Sequence, residues 1–336
     1  MAGVVTRVVK PDEAGMRLDR WFKQHYPGLS FGHLQKLLRS GQVRVDGARA
    51  KTSDRVDPGM AIRIPPLGTD EAGNSAYEAK PGAIAPGGAE KALRDMILHE
   101  DEHVFVFNKP PGLAVQGGSG LSTHIDGMLE VFRDRKGQKP RLVHRLDRDT
   151  SGVLVVARTR LAASKLAGAF RARTTRKVYW ALVKGVPKPR QGRISTWLAK
   201  EGGPGDERMK VAKHGEEDAS HAVSLYSVVD QAGQNLAWLT MRPVTGRTHQ
   251  LRAHAAHIGH PIIGDPKYFE ADSNWTFPGG MQQKLHLHAR RIVIPHPAGG
   301  ILDVTAPLPP HMKQSWNLLG FDATMGDEAD EAVEDE

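Results

Sequence analysis

The sequence predicts an α+β protein, with a small N-terminal α/β module followed by a larger domain built on a mixed, mainly antiparallel sheet. Two short amphipathic helical stretches give way to period-two alternation within residues 12–65. Gly, Pro and Ala then erase all periodicity over 66–89. Beyond residue 90, strand-like runs outnumber helical ones and follow each other at hairpin spacing. At 336 residues the chain is about twice the size of a typical domain, which agrees with two folding units.

The first helix places Leu18, Trp21, Phe22 and His25 on one face. The second follows Ser30, a good N-cap, carries Phe31, Leu34 and Leu38 inward and stops at Gly41. Val43 and Val45 then alternate with polar neighbours, Asp46-Gly47 is a tight-turn signal, and Ile62 and Ile64 form a short strand before Pro65-Pro66. The module's outward positions, Arg17, Arg20, Lys36, Arg39 and Arg44, are basic. Residues 66–89 read as a flexible linker. The larger domain, 90–320, offers strands at Val104–Asn108, Gly152–Ala157, Lys177–Val183, Ala222–Val229, Leu236–Arg242 and Arg291–Pro295. Its clearest helices are 159–171, burying Ala162, Leu166, Ala169 and Phe170, and 248–258, which stops at Gly259 before Pro261.

Composition excludes several function classes. No apolar run approaches the roughly 20 residues that span a bilayer, and the N-terminus lacks the apolar core of a secretory signal, so no membrane partner and a cytoplasmic location are expected. With no cysteine there are no disulfides, thiolate metal sites or cysteine nucleophiles. The net charge of +8 conceals a segregation. Residues 322–336 hold eight acids and no Lys or Arg, so the rest of the chain carries +16. So basic a body suggests a polyanionic partner held through phosphates, although a solubilising charge excess explains the same number. The acidic tail, 322–336, is expected to be disordered and to compete for the basic surface.

The densest polar cluster is LVHRLDRDTSGVLVVA at 142–157, charges and hydroxyls between two apolar segments. An Asp at the end of a buried strand, flanked by Arg145 and Arg148, has the setting of a nucleophilic or basic carboxylate. Spacing alone fits an ordinary surface salt-bridge network equally well. His249, His254, His257 and His260, with His286 and His288, fall close together, but no Glu stands where a metalloprotease base would, and no metal is expected.

HRLDRDTSG at 144–152 resembles the signature of the RluA superfamily of pseudouridine synthases. NKPPGLAVQGGSGLS at 108–122, RKVYWALVKG at 176–185, TGRTHQLRAHAAHIGHPIIGD at 245–265 and LHLHA at 285–289 match in the same order, so the resemblance spans 93–310. The segment RLDRWF with SFGHLQKLLRSGQVRVDG, across 17–47, resembles an S4 RNA-binding domain. This combination is similar to the RluC/RluD type, which acts on large-subunit ribosomal RNA, and most to RluC.

The resemblance implies the pseudouridine synthase fold, with Asp147 as catalytic carboxylate, attacking either the base at C6 or the ribose. It also gives Arg145 the gap left when the base flips out, Tyr179 stacking on that base with a part in proton transfer at C5, and Arg247 pairing with Asp147. His144 and Leu287 would line the uridine pocket, and Arg17, Lys36, Arg39 and Arg44 would hold RNA. No cofactor is implied, because the isomerisation is redox-neutral, and a monomer is expected. The other readings are a tRNA pseudouridine synthase, a non-catalytic ribosome-associated RNA-binding protein and, on the histidines, a metal-dependent hydrolase.

Overall fold

The computed structural model describes residues 4–10, 13–26, 28–67, 86–117, 123–135, 137–203, 208–269 and 279–332. The chain divides into two compact units, Met1–Ala79 and Lys80–Glu336.

The first unit contains β1 (Val5–Val8), β2 (Met16–Arg17), α1 (Leu18–His25), α2 (Phe31–Arg39), β3 (Arg44–Val45), β4 (Ala48–Arg49), β5 (Arg55–Val56) and β6 (Ala61–Ile64). Four strands form an antiparallel sheet in the order β1-β6-β3-β4, and β2 pairs with β5. Leu18, Trp21 and Phe22 from α1 and Leu34, Leu37 and Leu38 from α2 bury against Ile62 and Ile64. Ser30 caps α2 by accepting the His33 N–H at 3.3 Å, and Asp46 and Gly47 turn the β3–β4 hairpin at φ 47° and 78°. Phe31 is 56% exposed, contrary to expectation, and Leu37 takes its place in the core. Phe31 is the first helical residue and overhangs the end of the buried stripe, whereas Leu34, Leu37 and Leu38 share one face.

The second unit begins with α3 (Pro86–Arg94), β7 (Ile97–Glu100), β8 (Val104–Lys109), α4 (Ile125–Met128), β9 (Arg141–Leu142), β10 (Ser151–Ala157) and α5 (Arg160–Ala172). It continues with β11 (Arg176–Lys184), β12 (Gln191–Glu201), β13 (Arg208–Ala212), β14 (Ser220–Ala232), β15 (Leu236–Pro243), α6 (Gln250–His257), β16 (Leu287–Pro295), β17 (Ile301–Thr305), α7 (Pro310–Leu319) and α8 (Ala323–Ala332). The main sheet runs β13-β12-β14-β15-β11-β16-β10-β8-β7, with β17 on β16 and β9 on β10. Every pairing is antiparallel except β10 with β16, which spans only Ser151 opposite His288 and Gly152 opposite Ala289. Gly152, at φ 109°, permits this join: a Cβ there would collide with the Ala289 backbone.

Alternation along β11 divides the core. Ala181 and Val183 pack with Leu239, Met241 and the α6 residues Leu251 and Ala255. Trp180 and Leu182 face the other way, onto Trp238, Met312 and Trp316. Trp180 and Trp238 meet edge to face at 4.7 Å between ring centroids. The sheet therefore presents α6 on one side and α7 on the other.

Two expectations about the connecting segments change. Residues 68–85 of the linker expected over 66–89 lie outside the described residues, and its last four residues belong to α3. The acidic tail, 322–336, is not disordered from its start, because α8 occupies Ala323–Ala332; residues 333–336 are not described. Gly326 lets this helix lie directly on Trp180 and Trp238, and Arg290, stacked 4.2 Å from the Trp180 ring, binds Asp327 at 3.0 Å.

Candidate active site

Asp147 lies in the loop between β9 and β10, just ahead of the two-residue parallel join, where the strands diverge and leave room for a cleft. The cleft encloses about 560 Å³, ample for a nucleoside, and is lined by the 143–147 loop, the end of α5, β11 and the 243–252 segment. All six catalytic and pocket residues expected from the sequence border it: His144, Arg145, Asp147, Tyr179, Arg247 and Leu287.

The carboxylate of Asp147, 17% exposed, has Arg252 Nη1 3.4 Å from Oδ2 and His249 Nε2 3.9 Å away. Arg252, 3% exposed, donates through Nε and Nη2 to both oxygens of the buried Asp265 at 2.7 Å each. Asp265 also accepts the N–H groups of Lys267 and Tyr268. Burial opposes charge on Arg252, but the fork onto Asp265 and the nearby Asp147 outweigh it and hold its pKa above the ordinary value. A permanent positive charge is thus fixed beside Asp147 by a carboxylate that is itself held by two backbone N–H groups.

The expected pairing of Arg247 with Asp147 is not formed. Arg247 Nε donates to the His221 carbonyl at 3.1 Å. The reason is where α6 starts: His249 takes the left-handed conformation at φ 49°, so the helix opens at Gln250 and Arg247 remains in the loop before it. The Gln250 side chain secures that loop, accepting from Thr245 Oγ1 and the Arg247 N–H and donating to Val223 O and Ser224 Oγ. Arg252, inside the first turn of α6, is the arginine that the helix delivers to the carboxylate.

Tyr179 borders the cleft from β11. Burial, and then the charge of Asp147, push its phenol well above the ordinary pKa, so at neutral pH it is a hydrogen-bond donor and a flat ring rather than a base. Leu287, 3% exposed, supplies apolar wall. His144 is committed internally: its Nε2 accepts the Val155 N–H at 2.8 Å and its ring stacks on Phe170. Burial and Lys177 lower its pKa to about 3, so it is neutral. Arg145 is exposed.

Besides Arg252 and Asp265, two further contributors were missed from sequence. Fully buried Lys109 donates through Nζ to the carbonyls of Pro110, Leu113 and Arg148, tying the end of β8 to the Asp147 loop. Burial lowers its pKa to about 7 despite Asp149 and Asp147. A lysine ending the apolar run Val104–Asn108 was the available signal. His249 was read among possible metal ligands; instead its Nδ1 meets Tyr268 Oη at 3.2 Å. The other histidines scatter: His254 bonds Ser224 and Thr196, His286 bonds Ser315, and His288 bonds Ser151. Among the described residues no group of three or more His, Asp or Glu is placed to hold a metal.

Comparison with known proteins gives this cleft its context. Residues 103–257 match the RNA pseudouridylate synthase family model, and 16–62 match the S4 domain. The ribosomal large subunit pseudouridine synthase C of Escherichia coli K12 is 35% identical over 318 residues, covering 93% of this chain and 95% of its own. The chain belongs to the RNA pseudouridylate synthase family. As an RNA pseudouridine synthase it is an isomerase with an N-terminal S4 domain. An uncharacterized RNA pseudouridine synthase of Synechocystis is 34% identical over 315 residues, covering 89% of this chain and 88% of its own. Human RNA pseudouridylate synthase domain containing 4 superposes with a TM-score of 0.59 at 30% identity, covering 70% of this synthase and 97% of the human chain.

In the S4 unit, Lys36 and Arg39 are exposed on α2. Arg49, Arg44 and Arg63 stand opposite one another across β4, β3 and β6. Like charges in facing positions cost stability unless an anion joins them. Arg44 is partly tied down, donating to Gly41 O and Gly47 O, and Arg17 forks onto Asp19.

Proposed function

We propose that this synthase converts uridines of large-subunit ribosomal RNA to pseudouridine, with Asp147 as the catalytic carboxylate and the cytoplasm as its place of action. The observation that carries the reading is a carboxylate, alone among the described residues that line a uridine-sized cleft, with the fixed Arg252 cation on one side and the neutral Tyr179 ring in the same cleft. Asp147 acts on the flipped nucleotide, at the base or at the ribose. The N1–C1′ bond breaks, the base turns, C5 bonds to C1′, the C5 proton leaves and the freed N1 takes up a proton, so product and substrate have the same atoms. Tyr179 stacks on the base and donates a hydrogen bond, and Leu287 closes the apolar wall. Arg145, exposed beside Asp147, enters the gap left in the RNA. Arg247 holds its loop rather than the carboxylate and is available to a phosphate. In the S4 unit, Arg17, Lys36, Arg39 and Arg44 contribute to the RNA surface. Relatives named for the large ribosomal subunit support that substrate.

The test maps pseudouridine by carbodiimide-stopped reverse transcription on total rRNA and tRNA, comparing wild type with a strain carrying only Asp147→Asn. Stops are expected to vanish from large-subunit rRNA, while the purified variant keeps RNA affinity within about a few fold. Loss confined to tRNA overturns the substrate, and an unchanged map overturns Asp147 as the catalytic group.

A further inference from the structure

The cleft holds more positive charge than the reaction uses. Uracil is neutral, and Arg252 is already balanced by Asp265. Yet Arg145, Arg171, Arg173, Lys177 and Arg247 also border the cleft, and none has a carboxylate partner among the described residues. Among the described residues, Asp147 is the only carboxylate on the cleft wall.

Lys177 stands apart within this group. It is partly buried, and no hydrogen bond or ion pair links its ammonium to any described residue. Burial lowers its pKa, and no carboxylate counters the effect. Buried cations in folded proteins are ordinarily paired. Lys109 shows the ordinary solution, with three carbonyls around its Nζ.

We propose that Lys177, with Arg171 and Arg173 at the end of α5, forms a phosphate seat that holds the RNA backbone next to the target uridine. This rests on the reading of the cleft as a uridine site and adds to it where the backbone is gripped. Lys177 and Tyr179 are two residues apart on β11 and border the same cleft, which separates them by about 6.6 Å along the strand. A nucleotide whose base lies on Tyr179 can therefore reach Lys177 with its own phosphate. The α5 end adjoins Lys177 through His144, whose ring stacks on Phe170 of α5 and feels the Lys177 charge. Arg173, at φ 60°, turns the chain out of α5 and is exposed, as is Arg171. The carbonyls that end a helix repel anions, so the three long side chains must hold the phosphate away from the backbone.

The experiment measures steady-state tritium release from, and filter binding to, an unmodified transcript of large-subunit rRNA across a salt series. It compares wild type, Lys177→Gln, Lys177→Arg and, as an exposed second variant, Arg173→Gln. Lys177→Gln is expected to raise KM and Kd roughly tenfold, with the loss falling on KM rather than on turnover of bound RNA. The slope of log Kd against log salt should fall by about 0.9, one phosphate contact, with Lys177→Arg restoring most of it and Arg173→Gln giving a smaller change in the same direction. An unchanged salt slope in both glutamine variants overturns the seat. So does a loss of turnover at saturating RNA with KM and Kd unaltered, which would mark Lys177 as part of the chemistry or of the packing. If wild type binds the transcript but releases no tritium, the substrate reading falls, and the binding slopes still decide the seat.

Discussion

The S4 unit's surface and the catalytic unit's interior handle positive charge in opposite ways. The S4 unit keeps Lys36 and Arg39 on its surface and sets Arg49, Arg44 and Arg63 side by side on a small sheet, so its cations act through water on whatever anion arrives. The catalytic unit buries Lys109 and Arg252, gives each a fixed set of acceptors, and uses them to hold a loop and a carboxylate in place. Surface charge buys affinity that salt can remove, whereas buried charge sets geometry that salt barely reaches.

The sharpest test of that contrast is within the active site. Arg252→Met strands Asp265 without its partner, and a loss of about 3–5 kcal/mol of unfolding free energy is expected from denaturant titration, together with loss of activity. Arg247→Met removes a bond to one backbone carbonyl and is expected to cost about 1 kcal/mol or less, its main effect appearing in KM. Equal losses for the two variants would erase the distinction between them. In the S4 unit, Lys36→Glu with Arg39→Glu should raise KM and lower the salt slope by about two contacts, leaving single-turnover chemistry on saturated enzyme near wild type. An unaltered slope would remove α2 from the RNA surface.

The effect that is smallest at neutral pH concerns protons. Burial, the leading cause in each case, lowers the pKa of His144 and His288 to about 3 and of His254 and His286 to about 4, and all four lie in the catalytic unit. Their unfolded counterparts take up a proton near pH 6.5 while the folded forms do not, so stability is complete above that pH and declines as pH falls toward 4. Each histidine adds at most about 1.4 kcal/mol per pH unit to that slope. His288, which accepts from Ser151 Oγ at Nδ1 and donates from Nε2 to Ala306 O, is the one to replace. His288→Gln should flatten the decline of the unfolding midpoint between pH 6.5 and 4, and an unchanged slope would assign the acid sensitivity elsewhere.

Much of the fold was legible because its strands are apolar and bounded by turn residues. β8, β10, β11 and β15 fall within a residue or two of the runs visible in the sequence, as does α5 behind its Thr159 cap. β12 and β13 were missed because they form an outer hairpin whose buried positions, such as Ile194 and Leu198, are diluted by charged and hydroxyl residues. α7 was missed because Pro309-Pro310 reads as a breaker, although proline suits the first turn of a helix. At the site, the placement of Asp147, Tyr179 and Leu287 on one cleft was legible from the motifs that surround them. The choice between Arg247 and Arg252 was not, because it turns on one left-handed residue, His249, which no hydrophobic pattern announces. Tertiary seating is equally invisible to composition. Residues 323–332 look like an acidic tail, yet a glycine in the middle lets them dock as α8.

That seating makes the C-terminus an optical reporter. α8 lies over Trp180 and Trp238, and the indole N–H groups of Trp238 and Trp316 are buried without an acceptor among the described residues, in an environment that keeps indole emission blue. Lifting or trimming the helix would admit water to this cluster and move its fluorescence to the red. A shortened chain would thus announce the loss of a structural cover as well as the loss of negative charge, and the two should be separated by neutralising the acids before removing the residues.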